Sequence, residues 1–213
     1  MNALSALEPF ARAWRSAAPD QERCGVCARA IGEERHEHLV DLESRALLCA
    51  CPTCGTTFAQ PGTGGRKLRL VPTRVAVDPG FRLDEAQWTA LAIPVRLAFI
   101  FFNSRLARWV ALYPSPGGAA EADPPPAALE ALAAATRLIA EIEPDVEALL
   151  VYGRRGGPLE TFLAPVDACY RLVGEVRRHW QGFSGGDLVW SRIETFFAEL
   201  RARATALGSG DAT

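Results

Sequence analysis

Apolar residues recur along this chain at two spacings, and each spacing predicts a different kind of element. Leu4, Leu7, Phe10, Ala11 and Trp14 fall on one stripe, predicting an N-terminal helix within residues 1–20, although Pro9 limits its first part. LRLVPTRVAV (68–77) reads as an edge strand, because Pro72 has no N–H to donate to a ladder. DEAQWTALA (84–92) predicts a short helix, with Asp84 as N-cap and Gln87 completing a capping box. PVRLAFIFF (94–102) and RLARWVALY (105–113) flank Asn103-Ser104 as a hairpin, and VEALLVYG and PLETFLAP make a second one around Arg154-Arg155-Gly156-Gly157. Between them, PSPGGAAEADPPP (114–126) reads as a loop, and Asp123-Pro124 as the opening of a helix over 124–142. Two further helices are expected at 167–180, capped by Asp167, and at 187–206, capped by Asp187. In the last one Trp190, Ile193, Phe197 and Leu200 share a face. The halves 94–142 and 146–180 repeat a strand–turn–strand–helix order, as a loose duplication would.

Composition changes this picture little. Hydrophobic residues make up 49% and charged residues 23%, an ordinary globular balance. A formal net charge of −2 argues against a dedicated nucleic-acid binder, which needs a basic surplus to neutralise phosphates. No segment reaches the roughly 18 uninterrupted apolar residues of a membrane span. The opening MNALSALEPFARAWRSAA lacks the basic-then-apolar pattern of an export signal, so the expected location is the cytoplasm, where thiols stay reduced.

Reduced thiols give the cysteine pattern its meaning. Five of the six cysteines lie between positions 24 and 54, and four form two C-x-x-C pairs, Cys24/Cys27 and Cys51/Cys54. Two intervening residues let a tight turn aim both sulfurs at one point, so two such pairs predict a tetrahedral metal site with these four cysteines as ligands. Pro52 presets a dihedral in the second pair and Gly55 permits positive φ after the last ligand; Ala28 stands where the first pair would have its glycine. Closed four-cysteine sites are the usual setting of zinc; iron in the same cage is the alternative. The stretch HEHLVDLESRALLCAC reads as a hairpin turning at Glu43-Ser44, with Val40 facing Leu47, His38 facing Cys49 and His36 facing Cys51. Side-chain alternation then puts His36, His38 and Cys49 on one sheet face near the metal. The histidines read as exposed or hydrogen-bonded to thiolates; alternatively one of them is a ligand or completes a second site. Cys49 reads as a packed small hydrophobe. The expected fold class is therefore α+β: a zinc-ribbon-like module over 21–60, then an antiparallel sheet packed with helices over 66–207, and a flexible tail at 208–213.

Other motifs read as structural. Gly182-Phe183-Ser184-Gly185-Gly186 matches G-x-S-x-G but follows a predicted helix, where a nucleophile elbow follows a strand. PGTGGRKL lacks the Lys-Ser/Thr ending of a phosphate-binding loop. Cys169 falls on an apolar helix stripe and reads as a buried thiol. Glu141, Glu143, Asp145 and Glu147 read as a solvated rim.

Several strings together, CGVCARAI, HEHLVDLESRALLCACPTC, IPVRLAFIFFNS, VALYPSPGGA, EPDVEALLV, PVDACYRLVGEVRRHWQGFSGG and IETFFAELRAR, resemble a bacterial family encoded beside high-affinity nickel–iron hydrogenase genes. The resemblance covers nearly the whole chain, including Cys24, Cys27, Cys51 and Cys54. It implies a pathway, hydrogenase assembly or function, rather than a reaction, and a hydrogenase subunit or maturation factor as partner. The expected role is a non-enzymatic metal-binding accessory protein acting through protein–protein contacts. The alternatives are a rubredoxin-like or iron–sulfur electron carrier on the same cysteines, a zinc-ribbon nucleic-acid-binding or regulatory protein and, last, an enzyme working from the 114–126 loop or the 181–186 turn.

Overall fold

The computed structural model describes residues 22–32, 36–44, 46–59, 67–154 and 156–207. The expected N-terminal helix, Arg155 and the 208–213 tail lie outside the described residues. The fold is α+β. It divides into two compact units, a smaller one that ends at Leu70 and a larger one whose main run starts at Val71.

The smaller unit is built on an antiparallel sheet of order β2-β1-β3, from β1 (Glu37–Asp41), β2 (Ala46–Ala50) and β3 (Leu68–Leu70), with helix α1 (Pro52–Phe58). The β1–β2 register pairs His38 with Cys49 and Val40 with Leu47. Among the described residues its apolar core consists of Cys24, Ile31, Leu39, Ala50 and Cys51, two of the five being cysteines.

The larger unit is a seven-stranded sheet of order β10-β4-β9-β8-β5-β6-β7. Its strands are β4 (Ala76–Val77), β5 (Leu97–Asn103), β6 (Arg108–Ser115), β7 (Gly118–Ala122), β8 (Glu147–Gly153), β9 (Leu159–Pro165) and β10 (Thr205–Ala206). All neighbours are antiparallel except β10 and β4. Helices α2 (Glu85–Ala90), α3 (Pro126–Ala135) and α4 (Arg137–Glu141) bring Trp88, Leu132, Leu138 and Ile139 against Ile100, Leu149 and Leu163 on one face. On the other lie α5 (Val166–His179) and α6 (Gly186–Arg203), whose Tyr170 and Phe197 rings contact Phe99 and Tyr152. With both faces covered, β5 and β8 read as continuous apolar runs instead of alternating ones. The two predicted hairpins meet back to back through the β5–β8 pairing.

Several local expectations shift. Residues 68–77 form not one strand but two, β3 and β4, in different sheets. The first large hairpin turns over Ser104–Ala107, where Asn103 Oδ1 accepts from the amides of Arg105 and Leu106. The expected 114–126 loop contains β7, which small side chains and Gly118 at φ 121° disguise as turn. Thr136 is extended and its hydroxyl accepts from Leu138 N, breaking the expected 124–142 helix into α3 and α4. Helix α5 begins after Pro165 rather than at Asp167, and α6 after Gly185, which sits at φ 89°. The capping box of α2 forms as expected, with both Asp84 and Gln87 bonds present.

Candidate metal centre

The first cysteine pair sits in a tight backbone loop. Arg23 and Ala30 bridge as antiparallel neighbours, Cys24 N donates to Arg29 O at 2.8 Å and Ala28 N to Cys24 O at 2.9 Å. This loop needs a left-handed residue, and Ala28 supplies it at φ 58°. Gly25 N donates to Cys49 O at 2.8 Å, seating the loop on β2. The second pair is carried by α1. Cys51 is extended (φ −68°, ψ 157°), Pro52 opens the helix, and Cys54 lies one turn in. Positions three apart on a helix share a face, which brings the two sulfurs together. Gly55 belongs to the helix and is not among the residues of positive φ; its role is to let α1 approach β1 closely.

Together these devices converge Cys24, Cys27, Cys51 and Cys54, whose sulfurs all lie within 4.8 Å of one another. Cys27 Sγ and Cys51 Sγ are 3.8 Å apart. A tetrahedral ion with metal–sulfur bonds of about 2.3 Å needs sulfurs roughly 3.8 Å apart, so the cluster has the geometry to hold one. Its electrostatics fit the same occupant. Burial opposes ionisation of Cys24, but the amides of Cys51, Cys27 and Val26 outweigh it and hold the thiol at about 6. The amide of Cys54 likewise draws Cys51 below the ordinary range. Cys54 is pushed up to about 12 by burial and then by the three neighbouring sulfurs. Sulfurs this close cannot all carry charge unless a cation neutralises them. All six cysteines are free of disulfides.

His36, His38 and Cys49 do not join the four sulfurs; they form a cluster of their own, with ligand atoms within 4.8 Å of one another. Cys49 is half-buried and packs against the small unit's apolar core, as expected, but it also makes a polar contact. Its Sγ donates to Glu22 Oε1 at 2.7 Å, and burial together with that carboxylate raises its thiol to about 11. Nothing but its place two residues before the first cysteine marked Glu22 in the sequence.

Elsewhere, Cys169 is wholly buried, and burial raises its thiol further. Ser184 lies in a turn between α5 and α6, where its carbonyl accepts from Trp190 Nε1 at 2.9 Å. Arg154, at the hairpin turn, is exposed and pairs with Glu194 at 2.8 Å. Glu147 is not part of a solvated rim: it is fully buried and bonded to Arg74.

Reduced thiols converging on one point, carried by a three-stranded ribbon-like sheet and joined to an α+β body, define a protein with a metal-binding type of cysteine cluster. The chain belongs to the family of unknown function DUF5947, which it matches over residues 23–204. All four converging cysteines fall inside that span. No curated protein and no solved structure matches the chain.

Proposed function

We propose that Cys24, Cys27, Cys51 and Cys54 hold one zinc ion that staples the N-terminal module, and that the protein serves a nickel–iron hydrogenase as a non-enzymatic accessory factor. The convergence of four sulfurs within 4.8 Å carries the metal part of this reading. Four thiolates fill a tetrahedral shell and leave no open position, which suits a structural ion rather than a catalytic one. The strings shared with the hydrogenase-linked family support the pathway. A contact role is supported by the α5–α6 turn: Phe183 is fully exposed, and Leu188 and Trp190 stand about half exposed on the next helix. Aromatic and aliphatic groups of this kind are enriched in interface cores.

Elemental analysis with a visible spectrum tests the metal. The expected sample is colourless and loses one zinc equivalent when Cys51 and Cys54 are replaced by serine; thiolate-to-iron absorption would instead establish an electron carrier. Affinity purification from native cells tests the partner. Wild-type protein is expected to recover a hydrogenase subunit or maturation factor, and Phe183→Ala with Trp190→Ala to recover much less. Recovery of no hydrogenase component overturns the partner.

A further inference from the structure

A second cluster in the small unit shares no residue with the four-cysteine centre. The β1–β2 register sets His38 opposite Cys49, and His36 lies two residues before His38, on the same face by alternation. His36 Nε2 and His38 Nε2 are 3.2 Å apart. Two nitrogens bound to one tetrahedral ion at about 2.0–2.1 Å are separated by roughly 3.3 Å, so the two rings already stand at ligand spacing. His36 Nδ1 is buried with no hydrogen-bond partner among the described residues, so the Nε2 side is what orients that ring. Cys49 Sγ lies within 4.8 Å of the histidine ligand atoms and brings a soft third donor. The 2.7 Å between Cys49 Sγ and Glu22 Oε1 is shorter than the roughly 3.5 Å that two ligands of one tetrahedral ion keep. Glu22 therefore accepts the thiol proton's hydrogen bond here and is not a ligand in this arrangement.

We propose that His36, His38 and Cys49 form a second site for a divalent cation of the zinc–cobalt class, with its fourth position open. The ion takes one lone pair from each imidazole and displaces the proton of Cys49, which leaves to solvent past Glu22. Imidazole and thiolate together favour borderline-soft ions over magnesium or calcium. Three protein ligands leave room for water or an exogenous donor, unlike the filled four-sulfur shell. Cys49 and Cys51 are two residues apart along the chain, yet the two ligand sets have no residue in common. This site goes beyond the accessory role proposed above and shares no ligand with the zinc proposed there, although β1 and β2, which carry it, belong to the module that the four-cysteine ion staples.

Anaerobic titration of the metal-free full chain with Co(II) tests it. The expected wild-type result is two equivalents, the first with the strong charge-transfer absorption of four thiolates and the second with a weaker band from one. His38→Ala and Cys49→Ser should each lose the second step and keep the first, whose spectrum also reports that the module has folded. A wild type saturating at one equivalent, or both variants retaining two, overturns the site. A readout on unaltered protein covers variants that do not fold. A second equivalent of Zn(II) should protect His36 and His38, but not His179, from carbethoxylation mapped by mass spectrometry; absence of protection overturns the site. Failure of the four-cysteine reading would show differently, as loss of the first, four-thiolate step.

Discussion

The approach of helix α1 to strand β1 depends on a missing methyl group. A Cβ built on Gly55 would sit 2.4 Å from Glu37 Cγ and 2.8 Å from Glu37 Cβ, and the latter is fixed by the strand backbone. Gly55→Ala is therefore expected to destabilise the small unit by about 1–3 kcal/mol, the usual cost of overpacking. Because Cys51 and Cys54 ride on that helix, the variant should also surrender its metal to a chromogenic chelator at lower chelator concentration; an unchanged release curve would show that α1 can shift without moving its thiols. Ala28 presents the converse case, a side-chain-bearing residue held at φ 58°. Left-handed backbone costs a non-glycine residue on the order of 1 kcal/mol. The glycine expected to need freedom of φ serves packing, while the residue that needs the freedom is alanine.

Strand β8 shows how one element's burial is decided by its neighbours. It begins with Glu147, whose side chain is wholly buried. Arg74, from the segment before β4, donates Nε to Oε1 at 2.6 Å and a second nitrogen to Oε2 at 2.7 Å, and the amide of Glu143 adds a bond at 2.9 Å. A fork of this kind makes a buried carboxylate tolerable, and removing only the cation leaves the charge stranded. Arg74→Ala is expected to cost about 2–4 kcal/mol, a value discounted because the guanidinium is about half exposed. Glu147→Gln, which removes the charge itself, should cost less. The order of the two urea midpoints checks this; the reverse order would mean that the pair, not the stranded charge, dominates.

At the scale of the whole molecule, the two units draw their stability from different sources. The larger one has apolar layers on both faces of its sheet, whereas the apolar core of the smaller comprises five buried residues among those described. A module that small normally needs a metal or disulfide staple. Chelation should therefore strip amide-exchange protection from β1 and β2 while β5 and β8 keep theirs; loss at both sites together, or at neither, contradicts the assignment. Acid should act in the same direction. With the Cys24 thiol at about 6 instead of 9.0, its thiolate stabilisation is full above the unfolded value and is lost as pH falls through about 6. Protons compete with the cation for every ligand, so metal release monitored against pH should rise on acidification through that range. Release that grew toward alkaline pH would contradict the thiolate picture.

Much of this fold and site is legible in the sequence itself. The C-x-x-C pairs, the hairpin register of His38 with Cys49, the capping box at Asp84 and the apolar strands of the large sheet are local patterns, set by spacing and turn chemistry within a few residues. Other features depend on residues far apart in sequence meeting in space. Trp190, placed by periodicity on the buried stripe of α6, is 49% exposed, while Val189 and Phe196 are buried beside Ile193, Phe197 and Leu200. Glu22 beside Cys49 and Arg74 beside Glu147 are likewise partnerships across the chain. Periodicity tells which side chains share a face, but which face is covered, and by whom, is settled only when the layers close.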